Sequence, residues 1–205
     1  MTLAALVLAA GRGDRLRPLT DHTPKPLLEI GGTTLLDAAL DRIAGAVTLT
    51  PADVAVNAHW LADQIVAAVG GRAYVSVEEP VALGTAGAVG ALRDWLAGRD
   101  VLIANSDTWF AGPLDVRRFV DEWDRSRPRL LVVADEEGPD FEHRWRFAGL
   151  SLLPGATAAA LEPVPSGLYE AVWRDSAVEL VPTEIEAIDC GTPADLAQAR
   201  AIAHH

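Results

Sequence analysis

Two glycines, Gly11 and Gly13, follow an apolar run at residues 3–10, and four cations stand close behind them: Arg12, Arg15, Arg17 and Lys25. Glycines after a strand let backbone N–H groups approach an anion, and with only Asp14 and Asp21 to oppose the cations this stretch is locally positive. That chemistry suits phosphates. The stretch is not a P-loop, because no Gly-Lys-Ser/Thr follows, and Leu16 stands where a dinucleotide fingerprint needs its third glycine. Lys25 is singular: of 17 basic residues it is the one lysine, the rest being arginine. A compact ammonium and a planar guanidinium are not exchangeable at a tight phosphate site. Asp107 ends a second apolar run, where a carboxylate is costly without a cation or donors. Asp189 precedes Gly191-Thr192-Pro193. Each feature also has a plain structural reading: a glycine turn, a helix cap before Pro113, and ordinary turn chemistry, respectively.

The elements that must position these residues follow from the pattern of apolar stretches. Strand-like runs alternate with helix-like ones, which predicts a three-layer α/β/α, Rossmann-like fold with a mostly parallel, mixed central sheet. Strands are predicted over residues 3–10, 53–58, 73–77, 101–104 and 130–134. Helices are predicted over 33–44, 60–69, 85–98 and 114–123, the last with Pro113 at a first turn that tolerates it. Beyond residue 135 the alternation weakens. Residues 147–153, a helix over 167–173 and a strand over 178–181 are predicted to form a layer beside the main sheet, and 193–203 a closing helix. The whole chain, 1–205, reads as one domain: a core over 1–135, an acceptor-side layer over 136–192 and the closing helix. Ligands of such folds sit at the carboxyl ends of the strands, and Gly11, Asn57, Glu78 and Asp107 fall along that edge.

At 205 residues the chain can bury a sizeable core, and with half its residues hydrophobic and 22% charged it has globular composition. A formal charge of −12 has the wrong sign for a general nucleic-acid or anionic-membrane surface, so a polyanionic partner must be met locally. A single cysteine, Cys190, makes no intrachain disulfide, and the apolar start lacks a basic leader; both point to a cytoplasmic protein. Cys190 itself reads as a small buried filler. His204 and His205 are left out, since they read equally well as native or as the stub of a purification tag. Trp60, Trp95, Trp123 and Trp173 read as core or rim packing.

The segment Gly11-x-Gly13-x-Arg15-x-x-Pro18-Leu19-Thr20 with Pro24-Lys25-Pro26 resembles the signature of nucleotidyltransferases that join a nucleoside triphosphate to a sugar 1-phosphate. The resemblance recurs at Glu78-Glu79-Pro80-x-x-Leu83-Gly84-Thr85-Ala86-Gly87, at Asn105-Ser106-Asp107 and at Asp189-Cys190-Gly191-Thr192-Pro193, in the family's order and across both ends of the chain. It implies that Arg15 and Lys25 hold the triphosphate, with the backbone of Ala9, Ala10, Gly11, Arg12 and Gly13 wrapped around it. Gly84, Thr85 and Ala86 would let the base approach the sheet, with Glu78 or Glu79 near its edge. Asp107 and Asp189 would bind Mg²⁺, which takes a few carboxylate oxygens and completes its shell with phosphate and water. Catalysis would rest on Arg15, Lys25 and Asp107. The partners implied are small molecules, a nucleoside triphosphate and a sugar 1-phosphate, with no nucleic acid and no membrane. Acceptor contacts are expected from Asn57, Trp109, His143, Arg144, Gly149 and Glu162. Mutation of Lys25 to Ala is expected to depress turnover with little effect on folding.

The pattern departs from the family at one point. The second lysine of larger members, which meets the acceptor phosphate, is missing: Leu161-Glu162-Pro163-Val164 is the nearest match. Either Arg144, Arg146 or Arg174 takes that role or the acceptor is bound differently. Two alternatives stay open, a transferase for a non-sugar phosphate acceptor and a non-catalytic nucleotide-binding regulatory subunit of the same fold. A dinucleotide-dependent dehydrogenase needs an acidic ribose-binding residue after the second strand, and Ala58-His59 does not supply it.

Overall fold

The computed structural model describes residues 2–135, 141 and 144–203. In chain order its elements are β1 (Leu3–Leu8), β2 (Glu29–Ile30), β3 (Thr33–Thr34), α1 (Leu35–Ile43), β4 (Val54–Ala58), α2 (Ala62–Val69), β5 (Tyr74–Val77), α3 (Gly84–Ala91) and α4 (Arg93–Leu96). They continue with β6 (Asp100–Asn105), β7 (Thr108–Phe110), α5 (Val116–Asp121), β8 (Arg129–Ala134), β9 (Trp145–Leu153), α6 (Gly155–Ala159), β10 (Glu179–Pro182), β11 (Ala187–Asp189) and α7 (Pro193–Ala203).

Seven strands form the central sheet in the order β10-β8-β9-β6-β1-β4-β5. The strands with continuous apolar sequence lie in its middle, because helices cover both faces and every side chain must be apolar. Along β1 the side chains alternate between two cores: Ala5 and Val7 join the cluster that includes α1 and α2, while Ala4 and Leu6 join the one that includes α3. The helix α1 starts where the Thr34 side chain accepts a hydrogen bond from the Asp37 amide at 3.0 Å, and it buries Leu36, Ala39, Leu40 and Ile43 on one stripe. The helix α3 is built of small residues, and a Cβ at Gly87 would overlap the carbonyl of Val164, so this layer is held by close backbone approach.

The sheet is mixed. The run at 145–153 does not lie beside the sheet as the sequence pattern predicts; β9 is inserted antiparallel between β6 and β8, and β10 adds parallel to β8 at the edge. The reason is burial on both faces: Ala148, Leu150 and Leu152 face one core and Leu153 the other, which an outer layer would not satisfy. The helix predicted over 85–98 is broken at Leu92 into α3 and α4, and the one predicted over 167–173 forms as a π-helical turn, Tyr169–Trp173. A separate antiparallel ribbon pairs β7 with β11, Asp189 opposite Thr108. That ribbon brings two distant parts of the chain together at the carboxyl edge of the sheet.

Candidate active site

The loop after β1 is shaped by its own residues. Gly13 is left-handed at φ 66°, and a Cβ there would meet Thr20 Cγ2 at 2.9 Å and Lys25 Cβ at 3.2 Å. The Thr20 hydroxyl donates to the Gly13 carbonyl at 2.8 Å, and the Thr20 carbonyl accepts from the Trp60 indole at 3.0 Å. The Arg12 guanidinium lies 4.8 Å from the centroid of the Trp60 ring, a cation–π contact at the rim. Sequence reasoning placed Trp60 in packing and did not read Thr20 as a support; its place within the Pro18-Leu19-Thr20 motif is the signal that points to it.

The Lys25 ammonium is buried between two carboxylates. Its Nζ is 2.6 Å from Asp107 Oδ2 and 3.6 Å from Asp189 Oδ1. Asp107 stands two residues past the end of β6, which is pinned to β1 by the Ser106 hydroxyl donating to the Leu8 carbonyl at 2.6 Å. Asp189 ends β11 and arrives through the ribbon, where the Cys190 amide donates to the Asp107 carbonyl at 2.9 Å. Burial and the neighbouring charge of Asp107 push the Asp189 carboxyl above its usual range, against the pull of Lys25 and Arg15. The Arg15 guanidinium lies over Gly191, where a Cβ would meet Nη2 at 2.6 Å, so a side chain there would displace it. Burial pushes the Cys190 thiol up to about 12, so it is inert as a nucleophile.

Two carboxylates whose mutual repulsion is offset by one ammonium also have the chemistry of a hard-cation site. Their oxygens fit a hard divalent cation that draws its remaining ligands from phosphate and water.

A cavity of about 240 Å³ opens beside this cluster, lined by Leu8, Ala10, Gly11, Arg12, Asn57 and Asp107, with Gly84 and Thr85 on its far side. Gly84 is left-handed at φ 70°, and a Cβ there would meet the Ser166 carbonyl oxygen at 2.6 Å. The Thr85 hydroxyl accepts from the Leu168 amide at 2.8 Å, while Ala86 is fully buried.

Several predicted residues do something other than expected. Glu78 is buried, and its carboxylate accepts from Asn57 Nδ2 and from the Leu83 amide, both at 2.7 Å; Glu79 beside it is exposed. Asn57 in turn accepts from the Ala9 amide at 2.7 Å. Glu78 and Asn57 therefore tie the loop before α3 to the start of the phosphate loop, and their polar groups are spent on that brace.

The expected acceptor residues do not converge. Trp109 packs near α7 and lines a separate cavity with Arg42. Gly149 lies against Thr108 at φ 75°. Glu162 is exposed and pairs with Arg93 at 3.1 Å, and Arg144 is exposed over the Trp145 ring. His143 lies outside the described residues. Of the three arginines considered in place of a second lysine, Arg146 lines a cavity of about 830 Å³ together with Asp189, and it donates to the Ala187 carbonyl at 2.8 Å. Arg174 is exposed beside Asp175.

The model of the MobA-like NTP transferase domain matches residues 5–199. An N-acetylmuramate alpha-1-phosphate uridylyltransferase from Neisseria meningitidis serogroup B is 40% identical over 111 residues, which cover 51% of this chain and 47% of the relative. Its counterpart from Caulobacter vibrioides is 38% identical over 112 residues, covering 51% and 45%. The matches thus span about half the length of these curated relatives. A Bacillus anthracis protein crystallised with sucrose superposes with a TM-score of 0.83 at 18% identity, covering 98% of this chain and 95% of its own, which establishes the fold.

Proposed function

The chain belongs to the MobA-like NTP transferase family, and we propose that it transfers a nucleoside monophosphate from a nucleoside triphosphate to a sugar 1-phosphate, releasing pyrophosphate and forming a nucleotide sugar. One observation carries the reading: the only lysine of the chain is held between Asp107 and Asp189 at the rim of the cavity that the Gly11–Gly13 loop and Gly84-Thr85 enclose. The names of the two uridylyltransferase relatives, which state N-acetylmuramate alpha-1-phosphate as what those proteins act on, support the acceptor class.

The reaction needs no protein nucleophile. An oxygen of the acceptor phosphate attacks the α-phosphorus, the bond from that phosphorus to the bridging oxygen breaks, and pyrophosphate leaves with the electron pair. Lys25 and Arg15 sit where they meet the charge that grows on the leaving phosphates, and the amides of the Gly11–Gly13 loop hold the triphosphate in line. Asp107 and Asp189 would hold Mg²⁺, which when bound offsets phosphate charge and orients the phosphate oxygens. Glu78 and Asn57 act one step back, fixing where the loop begins. The substrates are small and soluble, and among the described residues no helix is long and apolar enough to cross a membrane. We place the reaction in the cytoplasm on the strength of the lone cysteine.

The test is pyrophosphate release with Mg²⁺, pooling nucleoside triphosphates against sugar 1-phosphates and identifying the product by mass. Release that depends on the acceptor and is lost in Lys25→Ala is expected. Release that ignores the acceptor, or none with any pair, overturns the reading.

A further inference from the structure

The ribbon of β7 and β11 sets where the two carboxylates stand, and it belongs to no larger sheet. Asp107 precedes β7, Asp189 closes β11, and the two strands pair only with each other. An isolated two-stranded ribbon is marginally stable, so groups outside it must fix its place.

Its inward hydrogen bonds run from the Cys190 amide to the Asp107 carbonyl and from the Ala111 amide to the Glu186 carbonyl, both at 2.9 Å. In an antiparallel pair the residues between such bonds turn their backbone groups outward, and here an outward carbonyl of each strand meets a guanidinium. Arg42, in the last turn of α1, donates to the Thr108 carbonyl at 2.9 Å, and Arg146 of β9 donates to the Ala187 carbonyl at 2.8 Å.

Arg42 grips β7 at two residues, because its guanidinium also lies 4.4 Å from the centroid of the Phe110 ring. Thr108 directly follows Asp107 and stands opposite Asp189, while Phe110 stands opposite Ala187. Thr108 is also pressed against Gly149 of β9, where a Cβ would overlap its hydroxyl oxygen. The residue between the two carboxylates is thus held from α1 and from β9.

Keeping Arg42 in this place is costly. Its Nη1 is buried with no hydrogen-bond partner among the described residues, and burial, with no carboxylate there to offset it, pulls the guanidinium down to about 10. A buried cation without a counter-charge lowers stability, so a purely structural position would gain from an apolar side chain of similar length.

We propose that Arg42 is a positioning residue for the divalent cation: through the Thr108 carbonyl and the Phe110 ring it fixes β7, and with it the separation of Asp107 and Asp189. The inference rests on the metal role proposed above for those two aspartates.

The probe is Mn²⁺ alone, its binding to the full chain read by electron paramagnetic resonance, with thermal melts alongside. Wild type is expected to bind Mn²⁺ and Asp107→Asn to lose it. Arg42→Met keeps the length of the stem and removes the donors and the charge. It should weaken Mn²⁺ binding about tenfold, the lower end of what loss of a group supporting a metal ligand costs, and raise the Mg²⁺ concentration for half-maximal pyrophosphate release by a similar factor. Its Tm should equal or exceed that of wild type, and its triphosphate KM at saturating Mg²⁺ should stay within about twofold. Wild-type Mn²⁺ affinity in Arg42→Met overturns the inference whatever the melt shows. If affinity and Tm both fall, Arg129→Met, which breaks the buried pair with Glu179 at the start of β8, separates the causes: weakened Mn²⁺ binding there overturns the inference and retained binding upholds it. If Arg42→Met does not fold, Arg42→Lys takes its place, since one ammonium does not both donate to Thr108 and cover the Phe110 ring; binding weakened at least about threefold upholds the inference and wild-type affinity overturns it. Wild type that binds no Mn²⁺ overturns the metal role and this inference together, whereas wild type that binds Mn²⁺ but turns over no sugar 1-phosphate refutes the transfer reading alone.

Discussion

Replacing Lys25 by alanine removes one positive charge from between two carboxylates, 2.6 Å from Asp107 and 3.6 Å from Asp189. Loss of one preorganised charge at a site of developing negative charge typically costs about 10²–10³ in turnover, and that is the expected fall in kcat. The sequence alone suggests little effect on folding, but the structure argues otherwise. The lysine side chain is only 9% exposed, and its removal leaves two like charges facing each other. Breaking a fully buried pair costs about 3–5 kcal/mol; because the aspartates are 33% and 57% exposed, solvent screening reduces this to about 2 kcal/mol. For a chain of this length that is a fall of about 4–8 °C in Tm. A divalent cation should recover part of the loss, since it takes over the offsetting of both carboxylates. Lys25→Arg should rescue turnover by less than about tenfold, because a planar guanidinium fork does not replace a compact ammonium held between two carboxylates, and Gly13 already approaches the Lys25 stem closely. The assays are pyrophosphate release and thermal melts with Mg²⁺ or a chelator. A kcat within about tenfold of wild type, or a Tm unchanged without metal, refutes the reasoning.

Three further outcomes follow from the same geometry. The Asp189 carboxyl is raised by burial and by Asp107, so its charged form carries a folding penalty that is absent below the unfolded value of 3.8 and complete above the folded one. Asp189→Asn should therefore melt higher than wild type near neutral pH, with the gain shrinking as pH falls toward 3.8, while turnover and stabilisation by Mg²⁺ are both lost; an equal or lower Tm at neutral pH counts against it. Glu78→Ala leaves Asn57 Nδ2 and the Leu83 amide without their acceptor and should cost about 2–4 kcal/mol in urea unfolding with weaker triphosphate binding, whereas a loss below about 1 kcal/mol would show that the brace is dispensable. Gly84→Ala forces a side chain into a left-handed turn against the Ser166 carbonyl and should cost about 1–3 kcal/mol while lowering triphosphate affinity, and wild-type affinity would remove the loop from the site.

Much of the site was legible residue by residue. The Gly11–Gly13 turn after a buried strand, the single lysine among arginines and the Asp107 carboxylate at a strand end are local features, and local features are what composition and spacing report. Glu78 was legible as a polar residue at the right edge but not as a brace, because its partner Asn57 comes from a neighbouring strand 21 residues away. The acceptor-side residues were the least legible: Trp109, Arg144 and Glu162 sit near the right motifs in sequence and face elsewhere in space.

The apolar runs and their alternation with amphipathic segments determined the layered α/β architecture, since a strand sealed on both faces and a helix sealed on one have different periods that the sequence carries on its surface. What only the tertiary structure decided is long-range register. Asp189 reaches Asp107 because β11 pairs antiparallel with β7, Lys25 is clamped because the one end of that ribbon where Asp107 precedes β7 and Asp189 closes β11 meets it, and β9 enters the sheet between β6 and β8. No local propensity encodes these pairings; they are selected by which arrangement buries the apolar faces and satisfies the buried backbone groups together. Among the described residues the side-chain atoms Ser151 Oγ and Trp173 Nε1 have no hydrogen-bond partner, which is visible only after all other partners are in place.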